Sequence, residues 1–223
     1  ILNTPHNPTG TVWTERDIQN LRDVIEGRDI YLLSDEVYEH ICFDGYSHQS
    51  LLRYPDLAAR TFAVSSFGKT YHATGWRVGY CIAPRDMMDE FLRIHQFINF
   101  STNAPMQYAI ADFLRDCPQH HHDLGIFYQQ KRDLFCELLK ASEFSFKPSS
   151  GTYFQLADYS AISDELDTDF AARLTRENKV AAIPVSVFYK NPPDQRVVRF
   201  CFAKDNDTLG KATERLRKLG FQP

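Results

Sequence analysis

Two short, unbroken apolar runs, Ile30-Tyr31-Leu32-Leu33 and Phe62-Ala63-Val64, constrain the fold of this chain more than any other feature. Continuous apolar runs of this length point to strands buried on both faces, as in the middle of a parallel sheet. Helical periodicity surrounds them. Thr14 opens a helix with Asp17 three residues on; Ile18, Leu21, Val24 and Ile25 form its apolar stripe, and Gly27 stops it. Residues 87–97, with Met88, Phe91, Leu92 and His95 on one side, carry the same period, as do residues 104–114 and 126–139. Helices alternating with strands imply crossover connections and a mostly parallel sheet, with ligands at the carboxyl ends of the strands.

Three loops leave predicted strand ends. The first, residues 1–10, holds two prolines, and Asn7-Pro8 is a candidate cis peptide. The second is Ser34-Asp35-Glu36-Val37-Tyr38. The third follows Val64 with the small residues Ser65, Ser66 and Gly68, then Lys69, and Arg77 eight residues later. Asn7, Asp35 and the Ser66–Lys69 segment therefore converge at one sheet edge. Two cations near a Ser/Gly-rich turn suit an anionic ligand.

Residues 63–70 allow two chemical readings. One is a relaxed phosphate-binding loop, Ala-x-x-x-x-Gly-Lys-Thr. That loop needs a glycine where Ala63 stands and a helix directly behind it, whereas YHATGWRVGY has no helical period. The other is a lysine whose amine forms a Schiff base with an aldehyde cofactor. A plain surface lysine is the third possibility.

Past residue 143 the pattern changes to short strands, Phe144-Ser145-Phe146, Tyr153-Phe154-Gln155-Leu156 and residues 197–202, with helices over 167–178 and 205–219. The expected architecture is α/β: a mostly parallel sheet domain over residues 1–142, including a linking helix, and a smaller α+β domain over 143–223. A net charge of −4 argues against a nucleic-acid or membrane surface. No apolar run reaches membrane-spanning length and no signal peptide is visible. Five scattered cysteines fit reduced thiols in a cytoplasmic protein better than disulfides or zinc. His120-His121-His122 reads as a solvated loop rather than a metal site, because adjacent residues do not share a helix face. The opening Ile1-Leu2-Asn3 reads as mid-strand, so the chain is expected to be a C-terminal portion lacking an N-terminal part.

Four separated motifs resemble one family together: Asn7-Pro8-Thr9-Gly10, Ser34 to Tyr38, Ser66-Phe67-Gly68-Lys69 with Arg77, and Arg199 in a late strand. In order and spacing they resemble the pyridoxal-phosphate aminotransferases of fold type I, class I/II, most closely the methionine and kynurenine/glutamine branch. The resemblance runs the whole length of the chain. It implies pyridoxal 5'-phosphate on Lys69, with Asp35 facing the pyridine nitrogen; standing alone, Asp35 also reads as a helix N-cap. It implies Asn7 and Tyr38 as donors to the ring's phenolate oxygen, Ser66 and Arg77 as phosphate ligands, and Arg199 with Asn7 as substrate contacts. Lys69, Asp35 and Tyr38 carry the catalytic roles, with no metal.

For Arg199 the residue pattern agrees with the resemblance. A lone charge in a β-branched and aromatic strand is costly, and a planar clamp for an α-carboxylate accounts for it; an outward arginine on an edge strand is the alternative. Tyr153, Phe154 and Phe188 are either walls of an apolar substrate pocket or core. The implied function is transfer of an amino group from a methionine, aromatic or glutamine-like amino acid to a 2-oxo acid, by a cytoplasmic homodimer with its active sites near the interface. The alternatives are a C–S β-lyase or decarboxylating enzyme on the same cofactor, and a catalytically inert fragment.

Overall fold

The computed structural model describes residues 1–220. The chain divides into two compact units, one of Ile1–His6 with Thr11–Gly125, the other of Asn7–Gly10 with the residues from Ile126 on.

The first unit is built on a four-stranded sheet, in the order β1 (Leu2–Asn3), β2 (Leu32–Asp35), β3 (Thr61–Ser66) and β4 (Gly79–Ile82). The first three strands are parallel, and β4 runs antiparallel to β3. Helix α1 (Glu15–Ile25) makes the crossover from β1 to β2. The Asp17 carboxylate accepts from the Thr14 N–H at 2.8 Å and the Thr14 hydroxyl at 2.7 Å, which fixes the helix start. Ile18, Leu21 and Ile25 pack with Leu32, Leu51 and Leu57, and Leu2, Trp13 and Tyr54 close around them. Val24, expected in this stripe, is exposed: the 100° step per residue carries it past the edge of the buried face.

The strands differ from expectation in extent and cover. β2 begins at Leu32, leaving Ile30 and Tyr31 exposed, and reaches Asp35. Along β2 and the start of β3 buried residues alternate with half-buried ones, so the two faces are not equally covered. On the less covered face Phe62 meets Phe91 of α4 (Arg85–Ile98), ring centroids 6.2 Å apart. Leu92, predicted on the same side as Phe91, is 54% exposed. The segment before β3 holds a 3-10 turn (Leu51–Arg53) and the short α2 (Pro55–Ala58), started by a proline at its first position. Asn7–Pro8 is cis as expected, and Thr4–Pro5 is cis as well.

α5 (Ala104–Asp116) is followed by α6 (His120–Leu139). The histidine triplet is thus the first turn of α6, not a loop. His120 Nε2 lies 2.9 Å from the Thr70 carbonyl, and that tertiary bond accounts for the helix starting six residues earlier than its apolar period suggests.

The second unit carries an antiparallel three-stranded sheet, ordered β5 (Phe154–Asp158), β7 (Val197–Cys201), β6 (Ile183–Pro184). Residues 144–146 form no strand; Ser145 makes only an isolated bridge to Asp158. α7 (Asp167–Arg176) buries Phe170, Ala171 and Leu174, and α8 (Asn206–Leu216) buries Leu209, Thr213 and Leu216. Phe170 stacks on Tyr159 with centroids 3.9 Å apart and packs beside Phe144, which meets Phe200 edge-on at 5.5 Å. Burying a Phe of this kind stabilises by about 1.5–3 kcal/mol. No helix among the described residues is long and apolar enough to cross a membrane.

Candidate active site

In the first unit, the expected residues collect at one edge of the sheet. Asp35 is the last residue of β2, and Ser66 is the last of β3. Ser66 pairs with Gly79, the first residue of antiparallel β4, so Arg77, two residues earlier, enters at the same edge. Behind Ser66 the chain makes a single helical turn, α3 (Phe67–Thr70), which carries Lys69. Ser66 caps this turn: its Oγ accepts from the Gly68 N–H at 3.1 Å and donates to the Val78 carbonyl at 3.3 Å. A β-carbon on Gly68 would stand 2.8 Å from the Thr74 Cα, so only glycine lets the turn pack against the following loop. The turn ends at Thr70, and the chain passes through a 3-10 turn (Thr74–Trp76) instead of a helix. A nucleotide phosphate loop needs a helix N-terminus there, so that reading of residues 63–70 fails.

Tyr38 is buried in the turns after β2, and its ring centroid lies 5.9 Å from the Lys69 ammonium. Arg77 is exposed, sits in the left-handed region at φ 58°, and donates to the Thr74 carbonyl at 3.3 Å. Asp35 does not cap a regular helix; its Oδ1 accepts from the Val37 N–H at 3.2 Å in a local turn.

Sequence reasoning passed over two carboxylates beside these residues. Glu36 is buried, and accepts from the Ser34 hydroxyl at 2.9 Å and the Leu51 N–H at 3.2 Å, with His48 Nε2 at 2.9 Å. Burial pushes its carboxyl up, but the His48, Ser50 and Ser34 contacts outweigh that and hold it below the ordinary range. Glu39 Oε1 accepts from the Ser65 hydroxyl at 2.8 Å and the Tyr80 phenol at 2.6 Å. Desolvation, then the bond to Glu39, raises the Tyr80 phenol. The signal for Glu36 was the alternation along β2: Leu32 and Ser34 are buried, Leu33 and Asp35 half-buried, and buried Glu36 continues the pattern one residue past the strand end. Its partner His48, twelve residues away, has no such signature. All five cysteines are free thiols; burial pushes Cys42 to about 12 and Cys136 to about 11, which leaves neither as a nucleophile.

Asn7 and Arg199 belong to the second unit. The Gly10 carbonyl accepts from the Ser150 and Gly151 N–H groups at 3.0 and 2.8 Å, tying residues 7–10 to the loop before β5. Gly10 has φ +69°, and a β-carbon on it would lie 2.5 Å from Ser149 Cβ. β7 is the middle strand of its sheet, not an edge, and Arg199 is half-buried there. Arg199 Nη1 donates to Asn7 Oδ1. Its guanidinium carbon lies 4.0 Å from the Phe154 ring centroid and 5.4 Å from that of Phe188. Two of the three expected pocket aromatics therefore flank the arginine, while Tyr153 packs on Phe154 and Tyr128.

The arrangement matches a family by sequence as well as by fold. The family model "Aminotransferase class I and II" covers residues 1–216. The chain belongs to that family. It is 51% identical over 219 residues to a methionine aminotransferase of Escherichia coli, covering 98% of this chain and 57% of that protein. It is 36% identical to a kynurenine–oxoglutarate transaminase of Dictyostelium discoideum, over 98% of this chain and 56% of the relative. Among solved structures, Escherichia coli YbdL, described as having a methionine aminotransferase function, superposes with a TM-score of 0.94 at 51% identity, over 98% of this chain and 58% of that one. N-succinyldiaminopimelate aminotransferase of Mycobacterium tuberculosis follows at 0.91 and 33%, over 97% of this chain and 56% of that one. The chain thus spans somewhat more than half the length of the relatives it matches.

Proposed function

We propose that the complete protein is a pyridoxal-phosphate-dependent aminotransferase that takes its amino group from methionine or from an aromatic or glutamine-like amino acid and gives it to a 2-oxo acid. The observation that carries this reading is the single turn after β3, which holds Lys69 behind the capping Ser66 while Asp35 and Arg77 enter at the same sheet edge. This donor set suits a phosphorylated aldehyde on a basic aromatic ring: a primary amine, a hydroxyl and guanidinium for a dianion, and a carboxylate for a ring cation. The similarity to proteins named methionine aminotransferase and kynurenine transaminase supports the choice of donor.

Pyridoxal phosphate, when bound, supplies an aldehyde that condenses with amines and a ring that takes up the electron pair released at the substrate α-carbon. Lys69 would hold the aldehyde, and its amine, when free, would take up and return the substrate α-proton. Asp35 would face the ring nitrogen and favour its protonated form. Tyr38 and Asn7 would donate to the ring oxygen; with the Asn7 amide oxygen accepting from Arg199, its NH2 group is the donating end. Ser66 and Arg77 would hold the phosphate. Arg199 would receive the α-carboxylate, which donor and acceptor share. The reading includes a cytoplasmic homodimer.

The test is Lys69→Ala in the complete protein. Turnover between methionine and a 2-oxo acid should fall by several orders of magnitude. Borohydride should fix the cofactor to the Lys69 peptide of the wild type, read by mass, and leave the variant unlabelled. Near-normal turnover in the variant overturns the assignment. Release of a thiol, pyruvate and ammonia from a cysteine thioether, without transamination, favours the lyase.

A further inference from the structure

We propose that Phe188, held in place by the Asp167–Ser186 pair, is a positioning residue that sets the Arg199 guanidinium for a carboxylate ligand. The inference rests on the reading of Arg199 as the carboxylate clamp.

The geometry begins with β7, where Arg199 stands between Leu156 of β5 and Ile183 of β6. Phe154, the nearer ring, is buried and belongs to the sheet's own packing. Phe188 is different. It ends a 3-10 turn (Ser186–Phe188) and is 46% exposed, so core packing does not account for it. The turn that presents it is fastened at its first residue. The Ser186 N–H donates to Asp167 Oδ2 and the Ser186 hydroxyl to Asp167 Oδ1, both at 2.7 Å, and Asp167 is the first residue of α7. The turn closes with the Phe188 N–H donating to the Val185 carbonyl at 3.1 Å.

An aromatic face has a property that a carboxylate partner lacks. It attracts a guanidinium through its quadrupole without consuming an N–H donor. A stiff ring beside the cation also restricts rotation of the long arginine side chain, so less freedom is lost when a ligand carboxylate meets the planar fork. The chain from Asp167 through Ser186 to Phe188 thus sets where the fork points, while Phe188 itself need not touch the reacting atoms.

The experiment uses the complete, cofactor-loaded protein and its variants Phe188→Leu, Phe188→Tyr, Asp167→Ala and Arg199→Lys. Binding of 2-oxo-4-(methylthio)butanoate is measured by titration calorimetry, and KM and kcat for methionine by kinetics. Phe188→Leu should weaken oxo-acid binding about two- to thirtyfold, raise KM for methionine similarly and leave kcat near wild type. Asp167→Ala should move in the same direction and Phe188→Tyr should restore binding. The carboxylate-free amine 3-(methylthio)propylamine should bind wild type and Phe188→Leu alike. If Phe188→Leu binds the oxo acid as the wild type does while Arg199→Lys loses it, this inference fails and the clamp reading stands. If Arg199→Lys also binds normally, the clamp reading fails and takes the inference with it. Equal loss for the amine and the oxo acid shows a general disturbance and likewise overturns the positioning role.

Discussion

Arg199 sits in the middle strand of a three-stranded sheet, flanked by Phe154 and Phe188, and donates to the Asn7 amide oxygen. A merely exposed arginine would tolerate lysine, because the charge is kept. A clamp would not, since lysine offers a point charge where a carboxylate expects two parallel donors. Arg199→Lys should lower kcat/KM for amino donor and oxo-acid acceptor alike by about ten- to more than a hundredfold, the equivalent of losing one charge-assisted bond. Cofactor occupancy, read by absorbance, should be largely retained: Arg199 bonds Asn7, one of the assigned ring donors, but Lys69, Asp35, Tyr38, Ser66 and Arg77 lie in other loops. Loss for one substrate only, or loss of cofactor, would show the residue to be misassigned. At this scale the sequence was informative: a guanidinium among β-branched and aromatic neighbours already demanded a reason. It did not reveal the neighbours that Arg199 meets in space, since Asn7 is 192 residues away.

Among the elements, β2 shows how a site strand is anchored. Its alternation aims Asp35 to one side and Ser34 and Glu36 to the buried other, where Glu36 ties the strand to His48 and to the Leu51 N–H at the start of the next 3-10 turn. The folded state holds the Glu36 carboxyl below its ordinary value of 4.5, so the unfolded chain takes up this proton at higher pH than the folded chain does. The stability it contributes is full above that value and is lost as pH falls through the lower, folded one. The melting temperature of the wild type should therefore drop more steeply on acidification below pH 4.5 than that of Glu36→Gln, which should already melt lower at neutral pH. Parallel acid profiles for the two proteins would remove Glu36 from this role. Helix types and approximate positions were legible from apolar period and from Thr14, Asp17 and Gly27. Ends set by tertiary bonds were not: α6 begins at His120, where a ring nitrogen meets a carbonyl fifty residues earlier in sequence.

For the whole molecule, the proposed homodimer requires apolar surface left uncovered by this chain. Phe97, Ile98 and Phe100, at the end of α4 and just beyond it, are 80–86% exposed, and Tyr108 of α5 is 74% exposed. Large apolar side chains left this exposed suit an interaction surface. Sedimentation of the complete protein at micromolar concentration should give twice the monomer mass. A monomer mass there would count against the dimer and leave this face without its proposed partner.

What the sequence determined by itself was local or periodic. Apolar runs specified parallel strands, the Ser/Gly-rich stretch before Lys69 specified a tight turn at a strand end, and a charged residue in an apolar strand called for a partner. Such features depend on neighbours within a few residues, where sterics and hydrogen-bond reach limit the choices. The tertiary structure alone decided that Arg77 comes back to the sheet edge of Asp35 and Ser66, through antiparallel β4. It alone paired Glu36 with His48, Phe188 with Arg199, and Ser186 with Asp167. Those contacts join residues far apart in sequence, and chain closure, not spacing, selects them.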